Sequence, residues 1–235
     1  MANFQQILTA ELLAIPRVMP INFHPSPLPH YASLAPFYWI IRNGERQSAI
    51  SVIKMDKGLD TGAIIMQRPI LLTGKETSIE LRTHQEQQNV LMLIDLIPLL
   101  VSGTFSYVPQ DTHDRSYFGR PKAEDYLLDF TLSSREIEQH VRAAYRYPGA
   151  YFYQEDGTKF VVLSVAISSN HLGMGVPEEI KHIDERIYIA AKDEWLELIT
   201  IEVDGKEVSA SVLTLPDMSD ESQPLAFALD DVINS

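Results

Sequence analysis

Apolar and polar residues alternate along Ile21-Asn22-Phe23-His24, the period of a strand. Ile21 and Phe23 therefore face a core, and Asn22 and His24 share the opposite face. Pro25, Pro27 and Pro29 follow at once. Proline fixes φ and lacks an N–H, so the strand ends abruptly in a stiff loop. A second strand is predicted over 48–55, with Ile50, Val52 and Lys54 on one face and Ser51, Ile53 and Met55 on the other. The loop 56–62 follows, then a short strand over 63–67.

Helical spacing fills the gaps. Ile7, Leu8, Leu12 and Ile15 make one stripe and predict an amphipathic helix over 4–15. The span 36–42 is apolar nearly all round, which predicts a helix buried against a sheet, and Asn43-Gly44 stops it. Thr77 and Glu80 have capping-box spacing, and a long helix is predicted from there to about Leu100, with Gly103 beyond its end. Pro98 is expected to kink or end it. Alternating strands and helices predict a parallel or mostly parallel sheet for this half of the chain.

After a polar, irregular stretch the pattern changes. Ser133 and Ser134 can cap a helix running to about Ala144. Short strands are predicted over 150–153, 159–166, 186–191, 195–203 and 207–213, with hairpin turns at 154–157 and 204–206. Several short strands with regular turns predict a small barrel or sandwich. The boundaries are a first domain over 1–108, a linker over 109–132, a β-rich domain over 133–215 and an acidic, loosely ordered tail over 216–235.

Composition narrows the chemistry. The chain has 235 residues, 45% of them hydrophobic and 22% charged, which suits a globular protein with a sizeable core. It has no cysteine, so disulfides, thiolate metal sites and cysteine nucleophiles are excluded. The net charge is −13, which argues against general affinity for nucleic acid. The longest apolar run, near 90–101, contains Asp95 and Pro98 and is too short and interrupted to span a bilayer. With no signal peptide before the first helical segment, a cytoplasmic location is expected. Asn22, His24 and Asp60 stand where they could converge on one reacting centre. A polar pair at a strand's C-terminal end is a common place for a site in an open α/β sheet.

The motif Asn22-Phe23-His24-Pro25-Ser26-Pro27-Leu28-Pro29, followed by Gly58-Leu59-Asp60-Thr61-Gly62, resembles the formyltransferase family that uses 10-formyltetrahydrofolate. Tyr117-Phe118-Gly119-Arg120 and Tyr147-Pro148-Gly149-Ala150 look most like the linker and second domain of its nucleotide-sugar members. Glu194-Trp195-Leu196-Glu197-Leu198 resembles a strand of their C-terminal barrel. The resemblance implies an α/β fold: a partial Rossmann-like formyltransferase sheet followed by a small β-rich, oligonucleotide-binding-like C-terminal barrel. It departs in two places. His30-Tyr31-Ala32-Ser33 stands where the family has Tyr-Arg-Gly, and the chain looks like a member lacking the N-terminal half of the catalytic domain.

The implied reaction moves a formyl carbonyl from a folate nitrogen to a primary amine, most readily an amino sugar on a nucleotide. Asn22 would donate to the developing oxyanion, His24 would take a proton from the attacking amine, and Asp60 would orient His24 and help pass a proton to the leaving nitrogen. Asp56, Lys57, Gly58 and Leu59 would border the folate pocket. No metal is required. Three alternatives stay open: a methionyl-tRNA formyltransferase, a formyltetrahydrofolate hydrolase, and a non-catalytic homologue that needs a partner chain. An incomplete sheet would expose an edge, so a homo-oligomer is also expected. Ser26 reads as a loop hydrogen-bonder, because no base is positioned for it. Phe37, Tyr38 and Trp39 read as core, and His84, His113, His140, His171 and His182 as surface or internally satisfied residues.

Overall fold

The computed structural model describes residues 8–154, 157–168, 172–214 and 226–227. The expected tail and His171 thus lie almost wholly outside the described residues. The chain divides into two compact units, 1–121 and 122–235.

In the first unit the chain order is α1 (Ala10–Leu13), β1 (Ile21–His24), β2 (Ala32–Ser33), α2 (Pro36–Arg42), β3 (Gln47–Lys54), β4 (Ile64–Leu71), α3 (Ser78–Ser102) and β5 (Tyr117–Phe118). The sheet has the order β1-β3-β4. β3 is its middle strand, and six of its eight residues are buried. The buried stretch runs from Ser48 to Ile53 and includes residues of both faces, so the strand is covered on both sides.

Both strand pairs are antiparallel, with His24 opposite Ser51 and Ser51 opposite Gln67. This corrects the expected parallel sheet. Only residues 55–63 separate β3 from β4, too few for the helical crossover a parallel pair needs. Within the first unit, among the described residues, the parallel pairing is that of β2 with β5, where Ala32 meets Tyr117 and Ser33 meets Phe118. The stretch expected to be an irregular linker therefore contains a strand that returns to the first unit.

α3 starts at the expected capping box, where Glu80 N–H donates to the Thr77 hydroxyl and Glu80 carboxylate accepts from Thr77 N–H. It ends at Gly103, whose φ of 69° is the left-handed C-cap favoured by glycine. Pro98 does not end the helix, which continues to Ser102. The Ser102 hydroxyl donates to the Pro98 carbonyl in this last turn. α1 is shorter than expected and buries none of its residues; Leu12 and Ile15 are exposed. Residues 4–7 of that predicted helix lie outside the described residues.

The second unit contains α4 (Ser134–Ala144) and the strands β6 (Ala150–Tyr153), β7 (Lys159–Ile167), β8 (Ile180–Ile183), β9 (Arg186–Ala190), β10 (Trp195–Val203) and β11 (Lys206–Ser209). They form an antiparallel sheet in the order β6-β7-β10-β9-β8, with β11 on β10. α4 opens on a capping box between Ser133 and Glu136, buries Ile137 and Val141, and packs against β6, β7 and β10. The predicted last strand is shorter than 207–213, because Ala210–Val212 turns into a 3-10 helix.

β8 was not anticipated. Its hairpin turn is Asp184-Glu185, with φ of 49° and 63°, and carries no glycine to announce it. The turn at Asp204-Gly205 has the same left-handed pair of residues and was legible because glycine tolerates that conformation.

Candidate active site

His24 ends β1 and is only 5% exposed. Its Nδ1 lies 3.4 Å from Asp60 Oδ1, and its Nε2 lies 3.5 Å from the Tyr31 carbonyl. Both neighbours are acceptors, whereas a neutral imidazole carries one N–H. Burial dominates the electrostatics and lowers the His24 pKa below its ordinary value. Asp60 and the Tyr31 carbonyl pull it back up, and the nearby Arg115 charge pushes it further down. Burial thus favours the neutral form of the ring.

Asn22 sits two residues earlier on the same strand face and is partly exposed. Its side chain has no hydrogen-bonding partner among the described residues. An amide poised beside a histidine, with its N–H groups unspent, can donate to an incoming oxygen.

The loop carrying Asp60 is shaped from within. Asp56 Oδ1 accepts from Gly58 N–H at 2.9 Å and from the Thr61 hydroxyl at 2.8 Å, which folds the loop back on itself. Asp60 has a φ of 56°, a left-handed conformation that a non-glycine residue adopts at a cost. Gly62 is required by space, because a Cβ there would stand 1.8 Å from the Lys54 carbonyl oxygen. Asp56, Lys57, Gly58 and Leu59 are largely exposed.

The proline loop is tied down by side chains from three other elements. Ser51 on β3 donates to the Ser26 carbonyl at 2.7 Å and accepts from Leu28 N–H at 3.1 Å. Gln67 on β4 donates to the Leu28 carbonyl, and Gln85 on α3 donates to the Pro25 carbonyl, each at 3.0 Å. Ser26 donates to the His30 carbonyl, so it acts as a loop tether. Phe118 stacks between Tyr31 and Trp39, with ring centroids 5.1 and 5.2 Å away.

The structure thus brings His24 and Asp60 into contact, keeps Asn22 on the strand face of His24 and places 56–59 at the surface of the Asp60 loop. Several contributors escaped the sequence reading. Gln110 donates to the carbonyls of Asp60 and Gly62, and Arg115 donates to the carbonyl of Leu59. Ser51, Gln67 and Gln85 also went unnoticed as anchors. Each acts across more than twenty residues of sequence, and no local pattern marks such a contact.

Comparison with known proteins gives the family. Residues 1–97 match the sequence profile of formyl transferase, and residues 120–214 match that of the formyl transferase C-terminal domain. The chain belongs to the formyltransferase family. A methionyl-tRNA formyltransferase of Synechococcus sp. (strain JA-3-3Ab) is 29% identical over 215 residues, covering 88% of this chain and 66% of that protein. The methionyl-tRNA formyltransferase of Citrifermentans bemidjiense is 31% identical, covering 87% of this chain and 63% of that protein. The chain spans a little under two thirds of the length of these curated relatives. Among solved structures, the N-formyltransferase of Helicobacter canadensis, in complex with folinic acid and dTDP-3-aminofucose, superposes with a TM-score of 0.69. That match is 20% identical and covers 85% of this chain and 71% of the other. No helix among the described residues is long and apolar enough to cross a membrane.

Proposed function

We propose that this formyltransferase-family protein transfers a formyl group from 10-formyltetrahydrofolate to the primary amine of an amino sugar carried on a nucleotide. The observation that carries this reading is the 3.4 Å contact between His24 Nδ1 and Asp60 Oδ1, with the Asn22 amide on the same strand face.

The neutral amine attacks the formyl carbon and forms the new C–N bond. The carbonyl oxygen takes up negative charge, which the Asn22 N–H stabilises. His24 removes a proton from the attacking nitrogen, and its imidazolium is then held by the Asp60 carboxylate. The bond to the folate nitrogen breaks, and that nitrogen leaves with a proton returned through the His24–Asp60 pair. The exposed backbone of Asp56, Lys57, Gly58 and Leu59 borders the folate.

Two observations support the amino-sugar acceptor. A net charge of −13 opposes the phosphate contacts that a tRNA acceptor would need. A fold neighbour was solved with a nucleotide amino sugar bound. The test uses protein made from the complete reading frame, with 10-formyltetrahydrofolate and either nucleotide amino sugars or methionyl-tRNA. Formylated sugar nucleotide is the expected product. Formylation of methionyl-tRNA alone would overturn the acceptor, and formate released at the same rate with and without amine would overturn transfer itself.

A further inference from the structure

We propose that Arg115 and Gln110 are positioning residues that hold the Asp60 carboxylate against His24. This rests on the formyl-transfer reading of the site and adds two residues to it.

The loop around Asp60 has little packing of its own. Residues 56–59 are mostly exposed, and Asp60 occupies a left-handed conformation. Asp56 ties the loop from within through Gly58 and Thr61, and contacts from outside add to that hold, because local strain persists only where the surroundings impose it. Its carbonyls are taken up by one passing segment. Gln110 Nε2 donates to the Asp60 carbonyl at 2.8 Å and to the Gly62 carbonyl at 2.6 Å. Arg115 Nη2 donates to the Leu59 carbonyl at 2.9 Å. Just before them, Val108 and Ile64 exchange two backbone hydrogen bonds.

The same segment then fastens to the His24 side. Ser116 accepts from Tyr31 N–H through its hydroxyl at 2.8 Å and from Ala32 N–H through its carbonyl at 3.0 Å. The next two residues form β5 against β2. Tyr31 is the residue whose carbonyl faces His24 Nε2. One strand of chain, 108–118, thus touches the backbone on both sides of the His24–Asp60 contact.

Arg115 also leaves Nε buried without an acceptor among the described residues. Unsatisfied buried donors are rare and call for a reason. Here the guanidinium spends its geometry on the Leu59 carbonyl and brings its charge near His24, where it opposes protonation of the ring. The charged groups that act on His24 are Asp60 and Arg115.

The test is a cycle on the His24 titration, read by NMR of its ring in protein made from the complete reading frame. Asp60→Asn removes the attraction that raises the His24 pKa, so the titration midpoint moves down in the wild-type background. With Arg115→Met and Gln110→Leu already present, the same Asp60→Asn change should move it far less, because Asp60 is no longer held in place. An equal displacement in both backgrounds overturns the proposal. If the double variant fails to fold, the same cycle with Gln110→Ala alone decides. In turnover, the double variant should lose on the order of 10- to 100-fold in kcat with little change in KM. A wild-type protein that shows the coupled titration but transfers no formyl group would sink the formyl-transfer reading and leave the positioning role standing.

Discussion

Burial decides the charge of His24, and its two neighbours decide its orientation. Desolvation outweighs the attraction of Asp60 and favours the neutral ring. The folded pKa is thus below the ordinary value of 6.5, so on acidification the unfolded chain takes the proton first. The stability this group contributes is complete above about pH 6.5 and is lost as pH falls through the folded value. Urea titrations at stepped pH should show this slope in the wild type and a flatter one in His24→Gln. Equal slopes would mean that His24 is not buried neutral. Asn22 makes a different prediction. If it donates to the oxyanion, Asn22→Ala lowers kcat by about 10²- to 10³-fold, or ~2.7–4 kcal/mol, with KM nearly unchanged. A loss confined to KM would assign Asn22 to substrate binding instead. The pairing of Asn22 with His24 was legible because a strand has period two. The roles of Arg115 and Gln110 were not, since a side chain donating to a carbonyl about fifty residues away leaves no local trace.

At the scale of elements, the parts with local signals were readable and the pairings were not. The capping box at Thr77 follows from spacing alone, as do the serine cap of α4, the prolines after β1 and the glycine after α3. Strand direction depends instead on what joins two strands. The alternation of strand and helix pointed to parallel pairing, whereas a connection as short as 55–63 makes β3 and β4 an antiparallel hairpin. Gly62 is the pivot of that connection. Any Cβ there collides with the Lys54 carbonyl oxygen, which belongs to β3 backbone and cannot swing away. Gly62→Ala should therefore destabilise the first unit and displace Asp60, which thermal melting and the loss of the His24–Asp60 coupling would both detect. A variant with unchanged melting and titration would contradict this geometry.

At the scale of the molecule, each of the two units carries its own hydrophobic core, and the candidate site lies wholly within the first. Among the described residues β1 is an edge strand, paired only with β3. The second unit supplies the antiparallel sheet that the family's C-terminal profile matches, with its core formed around β7, β9 and β10. In the proposed reaction one buried histidine, oriented by Asp60, carries formyl transfer. The most direct measurement follows labelled formyl from 10-formyltetrahydrofolate into a nucleotide amino sugar, using protein made from the complete reading frame and its His24→Asn variant. Label should enter the sugar amine with the wild type, and the rate should fall with the variant to near that of the uncatalysed reaction. Equal incorporation by both proteins, or none by the wild type, would contradict the account.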